Sequence, residues 1–314
     1  MKISFWQNKK ILVTGGAGFL GQHLVEKLIQ RGVGEENIFI PKFPDYDLRK
    51  MADCQKAVRG QDVIIHLAGV VGGIEYNRQH PGEVFFDNAA MSLNMIEAGR
   101  LSRVEKFVGI GSVCAYPKLS AIPLKEENLW LGYPEETNAP YGLAKKMMLV
   151  QAQAYRQQYG FNAIYLLLAN MYGPGDKFDP GVSHVIAATI KKVNEAEKEK
   201  RNYIEAWGTG KATREFLYVA DGAEGILLAA ERYNKPEPVN VGSGREISIK
   251  NLVKLICELM DFKGEISWDK TKPDGQPRRW LDVSRAKKEF CFVAETSLEK
   301  GLKNTINWYL KNKS

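Results

Sequence analysis

The stretch "ILVTGGAGFLGQHLVEKL" (residues 11–28) decides the fold. A short apolar run ends at Gly15, and Gly18 and Gly21 follow. A helical apolar period then begins, with Leu20, Leu24, Leu28 and Ile29 on one face. Gly15 permits a tight turn, Gly18 lets backbone approach a pyrophosphate, and Gly21 lets helix pack closely on strand. The free N–H groups where the helix opens favour an anion.

Outward from this unit, apolar runs and helical periods alternate. Strands are predicted over 9–15, 37–40, 62–69, 105–112 and 162–170. Helices are predicted over 19–32, 48–60, 84–101 and 141–159. Strands that are apolar without alternation, each followed by a helix, form a parallel sheet covered on both faces. The predicted architecture is therefore α/β, a doubly wound Rossmann sheet over residues 1–172. Past about residue 172, Gly and Pro become frequent and strands shorten, so 173–314 reads mainly as a smaller C-terminal α/β substrate domain. Residues 215–240 look like a strand–helix unit that returns to the first sheet.

Composition narrows the function. Lys and Arg exceed Asp and Glu by 44 − 37 = +7. The excess sits in "KKVNEAEKEKR" (191–201), "KPDGQPRR" (272–279) and the C-terminus, and reads either as solvated surface or as attraction for an anionic substrate. No helix-turn-helix or RNA-binding signature accompanies it, so no nucleic-acid partner is expected. Cys54, Cys114, Cys257 and Cys291 are scattered, as are the four histidines, which predicts neither a metal site nor a disulfide framework. No apolar run spans a membrane and the N-terminal stretch lacks a signal-peptide pattern, so a cytoplasmic protein is expected.

The glycine unit predicts a dinucleotide cofactor, with Gly15, Gly18, Phe19, Leu20 and Gly21 around its pyrophosphate, and Leu67 and Ala68 at the end of the third strand beside it. Val71, Gly72 and Gly73 are candidates for the nicotinamide pocket. Sites that prefer NAD end the second strand with an acid that holds the ribose hydroxyls. Here Ile40 is followed by Pro41 and Lys42, with no acid before Asp45, which favours NADP (NADPH). Lys42 and Arg49 are candidates for a 2′-phosphate, and Asp47 and Leu48 for bracketing the adenine.

"YGLAK" puts Tyr141 and Lys145 four residues apart near a helix start, on one face. A nearby ammonium favours the phenolate, so the pair can serve as general acid–base, with Lys145 also holding the nicotinamide ribose. Ser112 ends the fourth strand, at the sheet edge where such sites gather. Each residue alone has a structural alternative, as packed aromatic, surface lysine or strand cap.

With GxxGxxG, Ser112, Tyr141 and Lys145, the chain resembles the extended short-chain dehydrogenase/reductases, which act on nucleotide sugars. "NMYGPGD" (170–176) and "REFLYVAD" (214–221) are similar to further landmarks. "LAGVVGGIEYN" (67–77), "GSVCAYPK" (111–118), "PYGLAKKM" (140–147), "SHVI" (183–186), "WGTGKATREFLYV" (207–219) and "KPDGQPRRWLDVSR" (272–285) narrow the resemblance to the GDP-L-fucose synthase family. That family implies an NADPH-dependent enzyme acting on a GDP-sugar. It epimerises carbons 3 and 5 of GDP-4-keto-6-deoxymannose and then reduces carbon 4. It also implies catalytic roles for Ser112, Cys114, Tyr141, Lys145 and His184, and a homodimer, for which the two long helices could pair across a two-fold axis. The chain departs from the pattern at "PKFPDY", at Val113 where a second serine is usual, and at Lys191 and Lys192 where arginine is usual.

Inverting a carbon beside a ketone requires a proton to leave one face and another to arrive on the opposite face. Cys114 stands two residues past Ser112, and along an extended strand such residues share a side. A free thiol titrates near ~8.5, so proton abstraction needs positive neighbours; Lys145, His184 and the oxidised nicotinamide are candidates. His184, with an ordinary pKa near neutrality, suits the acid role. Taken alone, Cys114 reads as a small hydrophobe and His184 as a helix-start residue. For the substrate, Arg214 and Lys192 are candidates for the diphosphate or sugar, Lys272 and Arg278 for closing over the nucleotide, and Asn170 for the sugar–phosphate end. Trp207 either stacks or packs. The enzymatic alternatives are a GDP-mannose 3,5-epimerase-like protein and an epimerase or reductase of a related keto-sugar such as a GDP-heptose.

Overall fold

The computed structural model describes residues 5–179, 183–272 and 274–312. In its first half, β1 (Ile11–Thr14), α1 (Phe19–Gln30), β2 (Ile38–Phe39), α2 (Met51–Ala57), β3 (Val63–His66), α3 (Ile74–Gln79), α4 (Pro81–Leu101), β4 (Lys106–Ser112), α5 (Ala139–Tyr159) and β5 (Ala163–Leu168) follow in order. The second half carries β6 (Asn170–Tyr172), α6 (Val185–Lys198), β7 (Tyr203–Trp207), β8 (Thr213–Tyr218), α7 (Val219–Arg232), β9 (Val239–Val241), β10 (Glu246–Ser248), α8 (Ile249–Leu259), β11 (Glu265–Asp269), β12 (Arg278–Arg279), α9 (Ser284–Phe290) and α10 (Leu298–Asn312).

Six strands form one parallel sheet in the order β2-β1-β3-β4-β5-β9. Strands β1, β3 and β5 are buried along their whole length, as their unbroken apolar runs require. Helices α1 and α7 pack together on one face, and α4 and α5 on the other. The chain reverses direction across the sheet between β1 and β3, and the crevice at that point is where such folds bind ligands.

The remaining strands build a second region. Strand β8 pairs with β10, β12 and β6, while β7 pairs with β11. Two smaller apolar clusters, centred on Ile190, Leu252 and Ile306 and on Val193, Ile204 and Val253, hold it together. The 215–240 stretch divides between the regions: β8 belongs to the small sheet, whereas α7 and β9 belong to the large one. Strand β6 already lies on the small sheet at residue 170.

Strand four ends at Ser112, and residues 113–115 form a 3₁₀ turn. The strand alternation proposed to carry Cys114 therefore does not continue to it. The Ser112 hydroxyl accepts the Cys114 N–H at 3.2 Å, and this cap closes the turn in place of further strand pairing.

Candidate active site

The glycine loop is shaped as a dinucleotide cradle. Gly15 has φ +70°, the left-handed conformation that glycine adopts freely. A Cβ at Gly21 would stand 2.2 Å from the Gly15 carbonyl, so only glycine lets α1 sit this close to the loop. Helix α1 starts at Gly18 with no side-chain cap and no acid in its first turn, which leaves its first N–H groups and dipole for an anion. Phe19 and Leu20 are the first two residues of that turn. Opposite, Leu67 N donates to the Thr14 carbonyl at 3.1 Å and Ala68 N to Thr14 Oγ1 at 3.2 Å. Asn88 on α4 clamps Val70, accepting its N–H at 3.2 Å and donating to its carbonyl at 2.9 Å. This amide sits in mid-helix without a motif, which hid it in the sequence. These residues fit a dinucleotide.

Beyond β2 the acids and cations pair among themselves. Asp47 is buried and accepts Arg49 Nε at 2.8 Å, and Arg49 also reaches Asp87 at 3.3 Å. Leu48 is buried in the core beside them, and Lys42 is exposed at the carboxyl end of β2. Arg49 thus has its charge largely neutralised.

Tyr141 and Lys145 share the first turns of α5, with the Lys145 ammonium 5.9 Å from the Tyr141 ring centre. Lys145 is buried and donates to the Ala68 carbonyl at 3.3 Å. A Cβ at Gly69 would lie 3.2 Å from its Nζ, so a glycine there keeps the ammonium uncrowded. Burial pushes the Lys145 pKa down to about 8. Burial, and then the neighbouring Cys114, push the Tyr141 phenol up, so it stays protonated at neutral pH. A reduction that needs both the phenol proton and the ammonium charge loses the ammonium first. We expect kcat/KM for the reduced cofactor, measured from pH 6 to 9.5, to be flat at low pH and to fall as pH rises through about 8. A rate that climbs through that pH contradicts the assignment.

Gly142 brings the two chemistries together. A Cβ there would meet the Cys114 carbonyl at 2.6 Å, so the 113–115 turn rests directly on the first turn of α5, beside Tyr141. The cation that touches the Cys114 sulfur is Arg279: its Nη1 stands 3.6 Å from Sγ, and its Nη2 donates to Asn170 Oδ1 at 3.3 Å. Lys145 instead turns toward Ala68. Arg279 was not singled out from sequence, because "PRR" offers two adjacent arginines with nothing to choose between them. The fold chooses: Arg278 Nη2 pairs with Glu246 at 2.6 Å, at the surface, and Arg279 enters the cleft.

His184 precedes α6 as its N-cap, without a side-chain capping bond. Its surroundings in the cleft, and then Arg279 and Lys177, lower its pKa. The imidazole is therefore harder to protonate than the near-neutral titration expected from sequence implies.

The remaining substrate candidates fall into two groups. Trp207 is 56% exposed, with the Lys192 and Lys272 ammoniums 5.5 and 5.2 Å from its ring. The indole thus lies exposed between two cations. Lys192 is anchored by the Glu205 carbonyl at 2.8 Å. Arg214 donates to the carbonyls of Thr213 at 2.7 Å, Gln276 at 2.5 Å and Asp274 at 3.2 Å. Burial and then Arg279 lower its pKa to about 10. Asp274, also unforeseen, ties this loop to Thr209, accepting its N–H and its hydroxyl, each at 2.6 Å.

Residues 11–242 match the model of the NAD dependent epimerase/dehydratase family. GDP-L-fucose synthase 1 of Arabidopsis thaliana is 36% identical over 98% of this chain and 94% of its own length. A GDP-L-fucose synthetase from Naegleria fowleri, solved bound to NADP, superposes with a TM-score of 0.87 at 25% identity, covering 99% of this chain and 96% of that one. A GDP-6-OMe-4-keto-L-xylo-heptose reductase from C. jejuni superposes at 0.90 with 26% identity, covering 99% and 100%. With cradle, cleft and both kinds of match in agreement, the chain belongs to the NAD dependent epimerase/dehydratase family.

Proposed function

We propose that this protein is an NADPH-dependent epimerase-reductase of the GDP-L-fucose synthase kind, acting on GDP-4-keto-6-deoxymannose. The observation that carries the reading is the contact through Gly142, which rests the turn bearing the Cys114 thiol on the first turn of α5, beside the acid–base tyrosine. A simple reductase needs only the second of these. The relatives from Arabidopsis and Naegleria, one named a GDP-L-fucose synthase and the other a GDP-L-fucose synthetase, support the same substrate.

In this reading Ser112 and Tyr141 hydrogen-bond the 4-keto oxygen and stabilise the enolate that forms when a proton leaves carbon 3 or carbon 5. Cys114 takes that proton on one face, and His184, once protonated from solvent, delivers one to the other. Tyr141 then protonates the oxygen as carbon 4 is reduced, and Lys145 holds the ribose and keeps the tyrosine's proton exchange favourable. Bound NADPH supplies the hydride. Gly15, Gly18, Phe19, Leu20 and Gly21 would hold its pyrophosphate and Lys42 its 2′-phosphate. Trp207, Lys192 and Lys272 would meet the nucleotide, and Arg214 and Asn170 the diphosphate and sugar.

Incubation with GDP-4-keto-6-deoxymannose and NADPH should consume one NADPH per sugar and yield GDP-L-fucose by NMR, with NADH a poorer donor. Epimerised product without net NADPH consumption favours the GDP-mannose 3,5-epimerase-like alternative. Turnover of a GDP-heptose alone favours the reductase suggested by the Campylobacter match. A clear NADH preference overturns the cofactor assignment.

Exposed Phe86, Leu101, Val150 and Tyr159 on α4 and α5 support a homodimer built through these helices. Such a dimer would run at twice the monomer mass. Among the described residues no helix is long and apolar enough to cross a membrane, and the four cysteines are free. Free thiols fit a reducing, cytoplasmic compartment.

A further inference from the structure

We propose that Arg279 is the positioning residue of the epimerisation, pairing with the Cys114 sulfur while it carries negative charge and so preparing it to take the sugar's proton. This rests on the epimerase-reductase reading above.

Three observations carry it. The first is where the charge of Arg279 goes. Among the described residues no carboxylate pairs with it, whereas its neighbour Arg278 is spent on Glu246. Among the described residues its hydrogen-bond partners are a thiol and an amide oxygen, and its Nε is buried without one. A half-buried cation is costly unless an anion faces it. The group in contact that can become one is the sulfur.

The second is how firmly its backbone is held. In β12, Arg279 pairs with Arg214 of β8. The next residues are fixed from both sides. Leu124 N donates to the Trp280 carbonyl, and Asp282 N to the Leu124 carbonyl, both at 2.9 Å; Leu281 N donates to Glu215 Oε2 at 2.7 Å. Glu215 is itself buried and accepts Gly244 N at 2.7 Å, so a single carboxylate ties β8 to two loops at the cleft. The side chain thus projects from an ordered support, and Asn170 fixes one arm of its fork.

The third is chemical. An arginine keeps its charge through the pH range in which enzymes work. It can therefore pair with sulfur in every cycle without giving up a proton of its own.

The step balances without further reagents. The thiolate takes the hydrogen beside the ketone as a proton and becomes a thiol. The C–H electron pair moves into a carbon–carbon double bond, and the carbonyl pair moves onto oxygen as the enolate. Arg279 then faces a neutral thiol until the sulfur releases its proton to solvent.

The test is the rate at which iodoacetamide labels Cys114 at pH 7, read on its peptide by mass spectrometry, in wild type, Arg279→Met and Arg279→Lys. It is combined with deuterium uptake at carbons 3 and 5 of the keto-sugar in D₂O. Only the thiolate is nucleophilic, so loss of the pairing cation should slow labelling by about tenfold in Arg279→Met, with partial recovery in Arg279→Lys. Deuterium uptake should fall by about 10²-fold or more in Arg279→Met, while KM for NADPH stays put. A merely steric role predicts the opposite sign, because removing a bulky neighbour exposes the sulfur. Labelling in Arg279→Met as fast as in wild type, with an unchanged Tm, overturns the proposal. If wild type takes up no deuterium yet the labelling contrast holds, the pairing stands and the sugar assignment falls.

Discussion

Tyr141→Phe should reduce turnover of the 4-keto-sugar by about 10²- to 10⁴-fold, the range that one general acid contributes. The loss should fall on kcat. The glycine cradle and the Lys145–Ala68 contact do not involve the phenol oxygen, so NADPH binding measured by fluorescence titration should be nearly unchanged. The ring lies near Lys145, its centre 5.9 Å from the ammonium. Phenylalanine preserves that packing, which makes the variant a clean removal of one proton donor. Retention of more than a tenth of the wild-type rate would mean that Ser112 or water supplies the proton, and the acid–base role would pass from Tyr141.

The second large effect is selective. Cys114→Ser keeps the turn, because the cap runs from the Cys114 backbone N–H to Ser112 rather than from the thiol. A hydroxyl is a far weaker base than a thiolate. Deuterium uptake at carbons 3 and 5 should therefore drop by about 10²- to 10⁴-fold. Hydride transfer to carbon 4 should fall much less, since Tyr141 and Lys145 are untouched. The variant should then release a reduced but unepimerised GDP-sugar, visible by NMR as the diastereomer that keeps the manno configuration at carbons 3 and 5. Unchanged formation of the doubly inverted product would refute the role of Cys114.

The sheet was legible because its strands are buried on both faces and helical periods separate them. The run 11–14, the glycines and the period through Leu28 admit few other structures. The small region was harder to read. Strand β8 carries the apolar "EFLY" that suits the large sheet, yet it pairs with β6, β10 and β12, and the strand that returns is the short β9. Three-residue strands give too little periodicity to rank one sheet above another.

Residues in the site divide in the same way. Tyr141 and Lys145 stand at a local spacing that translates directly into a shared face, and Ser112 ends an apolar strand at the sheet's carboxyl edge. Cys114 was brought to the cleft by a turn, where strand alternation was the expected cause. Arg279, Asn88 and Asp274 act across 165, 18 and 65 residues, on Cys114, Val70 and Thr209. No local pattern encodes such partnerships. The identity of Arg279 depended on which of two adjacent arginines β12 turns inward, and that is set by its pairing with β8.

Lys272 and residues 274–279 touch several residues of the candidate site. Lys272 lies against the Trp207 ring, Asp274 and Gln276 grip Arg214, and Arg279 reaches Cys114. The residues proposed to meet the nucleotide and its phosphates and the residue proposed to position Cys114 are thus neighbours along one short stretch of chain. Binding energy gained far from the reacting carbons can be spent on aligning them. A truncated keto-sugar lacking its nucleotide would then forfeit speed as well as affinity, and adding free GDP beside it would restore part of that speed.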